Sequence, residues 1–135
     1  MNEADRLAEA SRWLRYAQED LETAESVLSS GAPRQVCWLA QQSAEKALKA
    51  ALVFLQVDFP RTHDLDVLLS LIPDDWAVKA AAPDLAELSE WAVEARYPGS
   101  WPEATTDDAT RAVADAKCVF HAIQDDFARR LGKVE

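Results

Sequence analysis

Glycine is scarce in this chain, with three in 135 residues. That excludes a glycine-rich phosphate loop and the dinucleotide fingerprint, which place several glycines in one turn. There are only two cysteines, Cys37 and Cys118, and two histidines, His63 and His121. Scattered this way they make no zinc spacing, so no metal is expected, and no motif calls for another cofactor. Both cysteines fall beside apolar residues in helical stretches and are expected to be buried free thiols in a reducing compartment. No Gly-x-Ser-x-Gly elbow is present, so a nucleophilic triad is unsupported. No apolar run approaches the ~20 residues a membrane span needs. The opening MNEADRLAEA is acidic and amphipathic and lacks the charged-then-apolar order of a signal peptide, so a cytoplasmic protein is expected.

Basic residues are the minority charge, 14 against 24 acidic, for a net −10. A field of that sign repels nucleic acid phosphates. The imbalance is local, however. Residues 31–63 hold four basic side chains (Arg34, Lys46, Lys49, Arg61) and two acidic ones (Glu45, Asp58). Residues 64–110 hold two basic and eleven acidic side chains. One positive patch on an acidic body is therefore open, as is simple ion pairing along the surface.

What the chain does have is helical periodicity. Its length and 49% hydrophobic content fit one domain, 1–135, that buries roughly two thirds of its unfolded surface. Leu7, Ala10, Leu14, Ala17, Leu21, Ala24 and Leu28 repeat 3-4-3-4-3-4, which predicts a helix over 5–29. Pro33 suits the first turn of a second helix running to Gln56, with Val36, Leu39, Ala40, Ala44, Ala47, Leu48, Ala51 and Leu55 on one broad face. Its alanines allow a close helix neighbour. Asp58-Phe59-Pro60 breaks it, and Thr62 or Asp64 can cap a short helix through Leu71. A further helix is expected over 84–96, with Leu85, Leu88, Ala92 and Ala95 inward, ended by Pro98 and Pro102. The last spans 106–131, its seam Ala109, Val113, Ala116, Phe120, Ile123 and Phe127, with Thr105 and Asp108 as a capping box. Nothing reads as a strand. The expected fold is all-α, an antiparallel bundle of four main helices plus one short helix.

Acidic pairs such as Glu19-Asp20 and Asp125-Asp126 read as solvated faces, having no Glu-x-x-His partner. The second helix is more specific. Gln42, Lys46 and Lys49 share one side, and Glu45 and Lys49 form a favourable i, i+4 pair. The strip is either a surface ion pair or a basic face for a partner protein or phosphate. Arg96 complements a helix end or contacts an anion. His63 caps or packs in its loop, or serves in phosphate or acid–base chemistry. His121, beside the last seam, reads as a packing or interface residue. Five tryptophans are many for an Ala- and Leu-rich core, which places some of them at an interface.

Four stretches together carry a resemblance. These are Ala17, Asp20, Leu21 and Ala24 in A-x-x-D-L-x-x-A, then CWLAQQSAEKALKA (37–50), FPRTHDL (59–65) and ARYP (95–98). In this order they resemble the HEPN domain family. The resemblance implies a helical bundle that forms a homodimer. It also implies a small nucleotidyltransferase as partner, in a toxin–antitoxin or similar nucleotide-binding pair. Many such proteins are metal-independent ribonucleases with an Arg and a later His separated by four to six residues. There the ribose 2′-hydroxyl attacks the adjacent phosphate, with His moving protons and Arg stabilising charge. Here Arg96 is present, but Trp101, Pro102 and Glu103 stand where the His belongs. The expectation is a non-catalytic or weakly catalytic protein in which Gln42, Lys46, Lys49 and Arg96 contact the partner or a nucleotide phosphate. The alternative is a ribonuclease with a variant catalytic site of Arg96, Tyr97 and His63.

Overall fold

The computed structural model describes residues 1–94 and 103–132. Six α-helices lie among them: α1 Glu3–Val27, α2 Pro33–Leu55, α3 Leu65–Ser70, α4 Ala77–Ala81, α5 Ala86–Glu94 and α6 Thr106–Gly132. No strand occurs among the described residues. The four main helices α1, α2, α5 and α6 make the expected all-α bundle.

Local chemistry explains most boundaries. Asn2 caps α1 by accepting from the Asp5 amide at 2.8 Å. The chain then tightens into one 3-10 turn, Leu28–Ser30, and reverses at Gly31, whose φ of 84° suits glycine. Asp64, rather than Thr62, caps α3, accepting from the amides of Asp66 and Val67. Thr105 and Asp108 form the expected reciprocal box, with amide-to-side-chain distances of 2.9 and 3.1 Å. The Thr105 amide, more than any other group, holds the Asp108 carboxyl below its ordinary range.

Packing differs from expectation in one respect. Helix α2 buries more than one face: Cys37, Gln41, Ser43, Glu45, Ala50 and Leu52 are buried beside the predicted Val36, Ala40, Ala44, Ala47, Leu48 and Ala51. It is the central rod, enclosed by α1, α3, α5 and α6. Ala10, Ala17 and Ala24 of α1 are fully buried, and Ser43 Oγ donates to the Ala17 carbonyl at 2.7 Å. Small residues permit that approach, because a bulky side chain at the crossing would hold the two backbones apart. The α6 seam is buried at all six predicted positions.

Helix α4 was not foreseen. Trp76 precedes it and supplies no side-chain cap. The cap is Asp126 of α6, fully buried, which accepts from the amides of Ala77 at 2.8 Å and Val78 at 3.3 Å. Asp126 is therefore no solvated residue, as its acidic neighbour had implied. Beside it Trp76, Phe54 and Phe127 pack edge-on and tilted, with centroids 5.0–6.3 Å apart. Trp13, Trp38 and Trp91 are half-buried, and Trp101 lies outside the described residues.

The cysteines divide. Cys37 is buried, and burial first, then the Asp108 and Glu87 charges, push its thiol up to about 12. Cys118 is exposed, a correction to the sequence reading. It sits between the inward Ala116 and Val119 and points off the seam, toward the side that carries exposed Ala114 and His121. A thiol reagent at neutral pH should therefore modify Cys118 alone in the folded chain and both cysteines in denaturant. Peptide mass mapping checks this, and Cys37 modified at the same rate as Cys118 would contradict it.

Candidate functional site

The candidate site lies where the 56–64 loop folds back along α2. Gln56 turns the chain out of the helix in the left-handed region at φ 58°. The returning segment brings Phe59 and His63 against the polar side of α2. Three of the four sequence-predicted residues on described backbone gather here: Gln42, Lys49 and His63. Lys46 is one turn along but faces α1. Arg96 and Tyr97 lie outside the described residues.

Glu45 is the centre of the cluster. It is 5% exposed and receives three donors. His63 Nδ1 stands 2.8 Å and Gln41 Nε2 3.1 Å from Oε1, while Lys49 Nζ is 3.0 Å from Oε2. Burial alone would raise this carboxyl. The hydrogen bonds from His63, Lys49 and Gln41 outweigh it, and the carboxyl is held below its ordinary value of 4.5. Gln41, fully buried, also donates to the His63 carbonyl at 3.1 Å, and Gln42 Nε2 donates to Gln41 Oε1 at 2.8 Å. His63 is thus fixed at both backbone and ring, yet its side chain remains 49% exposed.

The cations are matched within the chain. Lys46 Nζ is 2.6 Å from Asp20 of α1. Asp20 therefore joins helices rather than facing solvent, a second correction to the reading of acidic pairs. The Lys49 ammonium, besides Glu45, sits 5.9 Å from the Trp13 ring and 5.7 Å from the Phe59 ring. Each such contact adds about 0.5–1 kcal/mol at a partly exposed site. Among the described residues no three His, Cys, Asp or Glu side chains gather to hold a metal ion.

Sequence reasoning named Glu45 only as a salt-bridge partner of Lys49. It passed over Gln41 as a ligand of the loop and over Trp13 and Phe59 as the walls around Lys49. The usable signal was Gln41–Glu45 at i, i+4: two polar residues at the apolar edge of a helix need partners from elsewhere in the fold.

Comparison with known proteins agrees with this architecture. Crystal structures from two sources superpose on the chain. TT1696 from Thermus thermophilus is 27% identical, with a TM-score of 0.73, covering 87% of this chain and 97% of its own. ST0689, an archaeal HEPN homologue, is 28% identical, with a TM-score of 0.68, covering 86% and 95%. In sequence, the Methanocaldococcus jannaschii protein named "Putative toxin MJ1304" is 29% identical over 91% of both chains. The family model described as HEPN domain matches residues 10–126, so the chain belongs to the HEPN domain family.

Proposed function

We propose that this protein is the HEPN member of a toxin–antitoxin-type pair and works by binding, as a homodimer that holds a small nucleotidyltransferase partner. The observation that carries the binding reading is the internal pairing of the α2 lysines. Asp20 and Glu45 already neutralise Lys46 and Lys49, so the strip offers no ready cradle for a polyanionic RNA backbone. The lack of a histidine at 101–103 supports the same reading. The similar M. jannaschii protein, whose name describes a toxin, supports the pair, and the nucleotidyltransferase comes from the family resemblance. Arg96, with Gln42, Lys46 and Lys49, would contact that partner or a single nucleotide phosphate, the lysines through the N–H donors that Asp20 and Glu45 do not take. The pair would work in the cytoplasm.

Pull-down of the tagged chain from its native lysate, followed by gel filtration of what it captures, tests this. The expected result is a complex that survives gel filtration and contains this chain at twice its 15.0 kDa mass. Elution of this chain alone, free of the nucleotidyltransferase, would reject the pair.

One observation favours a second reading, a metal-independent ribonuclease using Arg96, Tyr97 and His63. His63 is held against a buried carboxylate with its ring half exposed, the arrangement a proton-transferring imidazole needs. RNA incubated with the purified protein and a chelator decides between them. Binding predicts intact RNA. Cyclic-phosphate ends that disappear with His63→Ala would establish the nuclease.

A further inference from the structure

We infer that Glu45 is a positioning residue for His63, holding its ring as the Nδ1–H tautomer and leaving Nε2 as an exposed base for an approaching hydroxyl group. Which imidazole nitrogen carries the proton is set by the hydrogen bond the other face makes. Among the described residues, Nδ1 is the ring nitrogen that meets a fixed acceptor, Glu45 Oε1 at 2.8 Å. Glu45 cannot drift toward solvent, because Lys49 and Gln41 hold it at 3.0 and 3.1 Å. Lys49 in turn is wedged between Trp13 and Phe59. Each support rests on another, which is the condition for a preorganised group.

Anchoring the loop does not account for the whole arrangement. The Gln41 bond to the His63 carbonyl ties the backbone without help from the ring. The ring is nonetheless tied too, and its side chain stays 49% exposed, so Nε2 is the nitrogen left for a ligand. Thr62 and Asp64 flank it in the chain, Arg61 lies two residues before it, and Lys49 is the charged group that shares its carboxylate. A neutral imidazole so held accepts a proton at Nε2 from a hydroxyl oriented toward it. This goes beyond the binding reading, which requires no base at this position.

The test needs neither RNA nor partner, so it stands or falls separately from the proposed function. Nitrogen-resolved NMR of the neutral side chain should show His63 protonated at Nδ1 and bare at Nε2. Diethyl pyrocarbonate, which acylates an unprotonated imidazole nitrogen and releases ethanol and carbon dioxide, should modify His63. The chain's other histidine, exposed His121, serves as internal reference. Glu45→Ala should erase the Nδ1–H signature and slow His63 acylation relative to His121. Glu45→Gln keeps an oxygen able to accept from Nδ1 and should restore the signature. Should Glu45→Ala fail to fold, the wild-type and Glu45→Gln spectra decide. An Nε2–H tautomer in the wild-type protein, or equal acylation of His63 with and without Glu45, would overturn the assignment.

Discussion

Replacing Asp126 by alanine should cost this protein about 2–4 kcal/mol, combining a lost helix cap with backbone donors left unpaired in the interior. Two facts set the size. Asp126 is fully buried, and Val78, one of the residues whose amide it accepts, is fully buried as well. Water cannot replace the carboxylate without opening α4. The five residues of Ala77–Ala81 have no cap of their own and are too short to persist unaided. Against a total stability of roughly 5–15 kcal/mol for a domain of this kind, the loss should lower the melting temperature by about 10 °C. Asp126→Asn should fall between, since one amide oxygen still accepts while the NH2 group opposes the second donor. Arg129, 2.7 Å from Asp126 but 56% exposed, should cost under about 1 kcal/mol when replaced by alanine. Thermal unfolding followed by tryptophan fluorescence, with exchange of the Ala77 and Val78 amides, measures all three. A melting point for Asp126→Ala within ~2 °C of wild type would show that the buried carboxylate is not what holds α4.

The same residue shows where the sequence stops being informative. The seams of α1 and α6 are written in periodicity, and the Thr105–Asp108 box in a local spacing, because both cause and effect lie within a few residues. The Asp126 cap joins positions 48 and 49 apart. No window along the chain contains both ends of it, and the Asp125-Asp126 doublet looks like any solvated pair. Lys46 and Asp20, 26 apart, repeat the lesson. The strip was legible as a strip, with its Glu45–Lys49 pair, but not the answer to Lys46 from Asp20 of α1. His63 was legible as part of a polar cluster after a helix break. What it touches depended on the path of the loop back over α2, and that path is set by Gln56 entering the left-handed region, where a non-glycine residue gives little warning. Cys118 was misplaced by a smaller error: one position along a helix is about 100° of rotation, enough to move a thiol from the seam to the outside.

Glu45 should give the protein its most distinctive dependence on acid. Its folded carboxyl lies below the ordinary 4.5 because three donors outweigh burial. The unfolded chain therefore binds a proton there before the folded chain does. The sign follows: the stabilisation is fully present above about 4.5 and is lost as pH falls through the lower folded value, with a slope of at most about 1.4 kcal/mol per pH unit from this one group. Glu45→Gln cannot titrate. At neutral pH it should be the less stable protein by about 2–4 kcal/mol, because half-buried Lys49 is left without its counter-charge. As pH falls below about 4.5 the gap between the two stability curves should narrow, as wild type loses what the variant never had. The comparison must be made as a difference between the two proteins, since other carboxyls titrate in the same range. Asp108 is held low chiefly by the Thr105 amide and adds a loss of the same sign. Asp66 and Asp115 are pushed up, by burial first and then by neighbouring carboxylates, and act in the opposite sense. All three are present in both proteins and cancel in the difference. Urea unfolding at a series of pH values supplies it. A gap between wild type and Glu45→Gln that stays constant down to pH 3 would mean that the carboxylate is not ionised against His63 and Lys49, and the cluster on α2 would lose its centre.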